Sequence, residues 1–142
     1  MNRCRGVLTC LLVILVVSGL ALSSWAGSMP KPGEVFPCVA EGKLDKKIAP
    51  EAELVDFSCV FKKWEGIETL HFNVAVKNIS KDPQRFRVHI FLDNGKAVGG
   101  LLPVKTAEGL IKPGETAKFV YPVPDMGKKA ESISLIITTK KE

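Results

Sequence analysis

The sequence contains none of the short arrangements that announce chemistry. It has no Gly-x-Ser-x-Gly elbow and no Cys-x-x-Cys pair, so neither a serine-hydrolase nucleophile nor a dithiol redox centre is encoded in its usual form. Only two histidines, His71 and His89, occur in 142 residues, which leaves little for an acid–base relay. Carboxylates are paired at Glu51 with Glu53 and at Glu65 with Glu68. Both pairs fall in polar turn segments, where water keeps the two groups ionised, whereas split pKa values need burial. Lysines are scattered rather than gathered into a stripe with interleaved aromatics, so no nucleic acid is expected as a partner. No internal repeat and no low-complexity tract is present. A chain that is not an enzyme and carries no cofactor is the expectation.

What the sequence does have begins with an export signal. Arg3 and Arg5 precede an apolar run, Leu8 to Val17 forming its centre, and Ser24 and Ala26 place small residues three and one positions before a cut at Gly27. A membrane anchor is the alternative, since the run from Val7 to Leu22 approaches the lower limit for spanning, but no basic stop-transfer cluster follows it. Cys10 lies inside the apolar run rather than after it, which argues against a lipid-accepting cysteine. Residues 1–26 are therefore expected to be removed, leaving no stable membrane anchor and an exported, periplasmic or secreted domain. Loss of Arg3 and Arg5 lowers the net charge from +5 to +3. Cys4 and Cys10 leave with the signal, and Cys38 and Cys59 remain as an even pair in an oxidising compartment, where a disulfide is the default.

Residues 27–34 (GSMPKPGE) read as a flexible start, and residues 35–142 as one domain. Within it the apolar residues recur with period two. Val55, Phe57, Cys59 and Phe61 form one series, followed by Leu70, Phe72, Val74 and Val76, and then by Phe86, Val88, Ile90 and Leu92. Ala117, Phe119 and Tyr121 and finally Ile133, Leu135 and Ile137 continue the pattern. This spacing puts the apolar residues of a strand on one face, whereas a helix would scatter them around its axis. The connections carry turn chemistry. Asn78 to Pro83 is a turn cluster, Asn94-Gly95 suits a type I′ hairpin, and Pro113-Gly114 suits a type II turn. An all-β, antiparallel sandwich of about seven strands is expected. Gly42 to Glu53 is a polar connector with room for one helical turn. Cys38 falls on or beside the first strand and Cys59 on the inward face of the second, so their bridge ties the N-terminal strand to the core.

Three stretches carry a resemblance: VAVKNIS (Val74 to Ser80), HIFLDNGKAVG (His89 to Gly99) and IKPGETAKFVY (Ile111 to Tyr121). The region from Leu70 to Tyr121 resembles small secreted bacterial immunoglobulin-like or fibronectin-III-like domains. The antibody-type order of Cys, Trp and Cys is absent, because Trp64 closely follows Cys59 and no later cysteine exists. The resemblance implies an immunoglobulin-like sandwich and an accessory or adhesive role, with a protein or surface partner in the cell envelope. It also points to a bacterium, in which the Asn78-Ile79-Ser80 sequon is a coincidence of turn composition.

Two features break the polar alternation and are the candidates for partner contact. Trp64 stands at a strand end, where it either anchors a partner or folds over the core. Val98 to Val104, including Leu101 and Leu102, is apolar and broken by Gly and Pro. It reads either as a kinked strand that switches sheets or as an edge offered to another chain. An alternative function rests on His71 and His89. If their strands formed one hairpin around Ser80, the two imidazoles would be cross-strand neighbours able to share a Cu²⁺ or Zn²⁺ ion, though without an evident third ligand.

Overall fold

The computed structural model describes residues 28–103 and 109–140. The expected signal peptide over residues 1–26 lies outside these, as does Val104. Eight strands and no helix occur among the described residues. They are β1 (Val35–Phe36), β2 (Leu44–Ile48), β3 (Ala52–Trp64), β4 (Ile67–Asn78), β5 (Phe86–Leu92), β6 (Ala97–Leu102), β7 (Thr116–Pro122) and β8 (Ile133–Thr139). They build two four-stranded sheets, β1-β3-β4-β7 and β2-β8-β5-β6. All pairings are antiparallel except that of β2 with β8, which is parallel.

The period-two residues supply the buried faces. Phe61, Leu70, Phe72, Val74 and Val76 from the first sheet meet Phe86, Val88, Ile90, Leu135 and Ile137 from the second, all essentially inaccessible. Each such side chain contributes about 1.5–3 kcal/mol by leaving water. Aromatic rings reinforce the first sheet: Phe36 stacks on Phe61 at 5.3 Å and Phe57 on Phe72 at 5.5 Å between centroids.

Four expectations are corrected. The first concerns strand number. The eighth strand, β2, runs through the polar connector assigned room for a helical turn. Its sequence LDKKI has only Leu44 and Ile48 to pack on the core, too few to produce a visible alternation. The second concerns Val55, expected inward but 53% exposed. The β3–β4 register shifts between Leu54 and Asp56, and the extra residue of that bulge reverses the parity of the strand, so Leu54 and Phe57 both pack on the core. The third concerns Asn94-Gly95. Among the non-glycine residues described, only Glu65 and Asp125 have positive φ, so Asn94 does not occupy a type I′ position. Gly95, at φ 80°, closes a three-residue loop instead. Its N–H donates to the Leu92 carbonyl at 3.1 Å, and the Leu92 N–H donates to the Lys96 carbonyl at 2.9 Å. The type I′ geometry belongs to Glu65-Gly66, with φ of 50° and 86°, at the tip of the β3–β4 hairpin.

The fourth correction is topological. β4 and β5 do not pair: the turn cluster after Asn78 carries the chain from one sheet to the other. Asn78 is fully buried and organises this crossing. Its Nδ2 donates to the Asp82 and Ile111 carbonyls, both at 2.8 Å, while Oδ1 accepts from the Ser80 N–H at 2.9 Å and hydroxyl at 2.7 Å. The Asn78 backbone joins the same knot through Glu115 and Gly114. The amide of the sequon is thus committed to the fold. The Pro113-Gly114 turn is of the expected type, with Gly114 at φ 79° and the Glu115 N–H donating to the Lys112 carbonyl at 3.0 Å.

Cys38 and Cys59 form the expected disulfide, buried beneath β1 and spanning 21 residues. In the chain-entropy model such a bridge contributes roughly 3 kcal/mol. Replacing both cysteines with Ala is expected to lower the unfolding free energy by about that amount, and alkylation of denatured, unreduced protein to label neither. Labelling of both thiols would contradict the bridge.

Asp93 fastens the β5–β6 turn to the start of β8. Its Oδ1 accepts from the N–H groups of Glu131 at 2.9 Å and Ser132 at 3.3 Å, and these donors hold the carboxyl below the usual aspartate range. A carboxyl lowered by folding stabilises the protein above its ordinary pKa and loses that contribution as pH falls through the folded value. Asp93→Asn is therefore expected to destabilise most near neutral pH, the difference from wild type narrowing below about pH 4. A difference that stays constant down to pH 2 would exclude this role.

Candidate functional site

Two open sheets leave four edges, and three of them are guarded against pairing with another chain. β2 carries Asp45, Lys46 and Lys47; β7 carries Lys118 and ends in Pro122, which has no N–H; β1 is only two residues long and the β3 it leaves uncovered bears Glu53, Asp56, Lys62 and Lys63. Charge, proline and short length are the ordinary ways of blunting an edge. The fourth edge, β6, reads Ala-Val-Gly-Gly-Leu-Leu. Among the described residues it pairs with β5 alone.

The hairpin fixes which groups of β6 are free. From the Leu92–Lys96 hydrogen bond, the alternation of an antiparallel ladder directs the backbone of Val98, Gly100 and Leu102 to β5. The N–H and C=O groups of Ala97, Gly99 and Leu101 then point to the open side. The side chains divide the same way. Leu102 is 1% exposed and so is not available to a partner as expected from sequence. Val98 is half-buried, packing against the core while also lining the hollow beside β6. Both oppose inward residues of β5, Phe86 and Ile90. Leu101 opposes Arg87 and faces outward. The segment does not switch sheets within its described part.

The two glycines differ in what a side chain would meet. A Cβ on Gly99, whose φ is 154°, would collide with the Val88 carbonyl oxygen. One on Gly100 would stand 3.4 Å from Cε1 of Tyr121, whose ring occupies the space the glycine leaves. Tyr121 is buried with its hydroxyl unpartnered among the described residues, and burial pushes its pKa up. On the outer face the bare backbone of Gly99 forms part of a hollow of about 530 Å³ with Arg87, His89, Phe91, Ala97 and Leu101. The His89 and Phe91 rings lie nearly parallel, 6.1 Å apart and 5° between planes.

No family model, curated protein or solved structure matches the chain.

Sequence reasoning drew attention to this segment by its break in alternation and missed the hollow beside it. Arg87, His89 and Phe91 sit on the polar face of a strongly alternating strand, and only the pairing of β5 with β6 places them next to Gly99. His71 and His89, expected as neighbours across a hairpin, lie in different sheets. His71 is buried, and its Nδ1 donates to the Thr69 carbonyl at 2.9 Å. No cluster of three or more metal-ligating side chains occurs among the described residues.

Trp64 stands at the tip of the β3–β4 hairpin, opposite Ile67. It is 42% exposed and packs edge-on against His71, with centroids 6.4 Å apart. It is thus neither a core residue nor a free anchor. Its fluorescence is expected between the two extremes and partly quenched by a small polar quencher. Trp64→Ala is expected to cost about 1–2 kcal/mol, below the 3–5 kcal/mol of a core tryptophan. A cost in that upper range would mean that the ring is buried in solution.

Proposed function

We propose that the protein is an exported, non-enzymatic module of the cell envelope that holds a protein partner by accepting one of its strands along β6. The observation that carries this reading is the contrast among edges: the others bear charge or proline or are very short, whereas β6 has no charged side chain and three backbone positions that pair with no strand among the described residues. Main-chain hydrogen bonds along such an edge supply affinity, and side-chain hollows beside it supply selectivity. The paired cysteines, oxidised to a disulfide, support an oxidising compartment.

The strand order supports an immunoglobulin-like reading of the sandwich. β3-β4-β7 corresponds to an A-B-E sheet and β8-β5-β6 to F-C-C′, with β2 in the place of the last strand. On this reading β6 is the C′ strand, an outer strand of its sheet.

Leu101→Lys places a charge on the open edge without touching the core. With tagged protein crosslinked in its native compartment, the variant is expected to lose its specific adduct while keeping its unfolding midpoint. An undiminished adduct from a folded variant would remove β6 as the contact surface.

A further inference from the structure

The hollow beside β6 has a chemistry of its own. Its nine lining residues include Arg87 and His89 and no carboxylate. Arg87 is exposed and makes no hydrogen bond or ion pair among the described residues. On the outward side of this sheet the four strands carry one acidic residue, Asp45. It stands two strands away from Phe91 and accepts from the Ser134 hydroxyl at 3.5 Å. Phe91, 45% exposed, supplies an apolar wall. The missing side chain at Gly99 leaves the way open from the edge of β6 to these groups.

We infer that the hollow receives a carboxylate side chain from the added strand, so that the partner is an extended acidic segment. The inference rests on the strand-addition reading and specifies its occupant. A residue placed opposite Gly99 directs its side chain to the outer face. Gly99 pairs with His89 and Arg87 lies two residues along β5, so about 12 Å separates the added residue from Arg87, a span within the combined reach of a glutamate and an arginine. Because Gly99 has no side chain, nothing on β6 stands between the added residue and His89. The way to Arg87 runs past His89 rather than across Leu101, which stands opposite Arg87. The carboxylate rises beside His89 and meets the Arg87 guanidinium, whose fork of donors suits it. A second copy of this chain fits poorly, because β6–β6 pairing supplies no carboxylate from either strand and brings two cationic hollows together.

The test uses capped seven-residue peptides of alternating Thr and Val with Glu, Gln or Lys at the centre, titrated into isotope-labelled protein. Shifts of the Ala97, Gly99 and Leu101 amides report strand addition, and affinity reports selectivity. The Glu peptide is expected to bind about five- to tenfold more tightly than the Gln peptide, with Lys weakest. Arg87→Gln is expected to abolish the Glu advantage, while the Ala97, Gly99 and Leu101 amides still shift with either peptide. Equal affinities with the three amides still shifting would overturn the carboxylate preference and leave strand addition standing. Absence of shifts at these amides for every peptide, or concentration-dependent shifts without peptide from self-association, would overturn both.

Discussion

Two open sheets hold together only by burying one face of each, and that burial leaves their edges to be settled separately. The inner faces are settled by packing of Leu70, Phe72, Val74 and Val76 against Phe86, Val88, Ile90 and Leu135. Neither sheet closes on itself, so the outermost backbone groups must be hydrated, blocked or paired. This constraint explains a distribution of residues that packing alone does not. Asp45, Lys46 and Lys47 sit in β2, three charged residues in a strand that needs only Leu44 and Ile48 for the core. Pro122 ends β7, and β1 is only two residues long, pairing with β3 next to the Cys38–Cys59 bridge. Against that background the uncharged β6 is an exception, and the functional reading grows from it.

The irregular features of the fold act on the same edge. The Tyr121 ring of the first sheet packs beside Gly100, so β6 lies close to that sheet at this side of the sandwich. Gly99 has a backbone that a side chain would disrupt, and its bareness opens the hollow. The three-residue loop at Asp93–Gly95 sets the phase of the β5–β6 ladder. That phase decides which backbone groups of β6 remain free. Asp93, in the same loop, ties this hairpin to the chain entering β8. The structural features and the proposed recognition edge therefore share a short stretch of sequence.

Much of the fold was legible because a half-buried strand writes its inner face into every second residue. The series Leu70–Val76, Phe86–Leu92 and Ile133–Ile137 appear as strands with the expected faces inward. The cysteine pair and the Pro113-Gly114 turn were legible for equally local reasons. What failed was non-local. A single bulge at Val55 reverses parity and cannot be seen in composition. A polar turn after Asn78 reads the same whether it joins neighbours in one sheet or crosses to the other, so the His71–His89 pairing was misplaced. The glycines in β6 conceal its parity, and Leu102 passed for a surface residue although it opposes the buried Phe86. The hollow was illegible altogether, since Arg87 and His89 look like ordinary solvated positions until β6 is set beside them.

The most direct measurement is site-specific photocrosslinking in the native compartment, with the reactive side chain placed singly on three edges. Position 97 lies on β6, position 46 on β2 and position 118 on β7. A discrete adduct from position 97, absent from positions 46 and 118, is the expected result. Adducts from position 46 or 118 with none from position 97 would contradict β6 as the edge that recognises a partner.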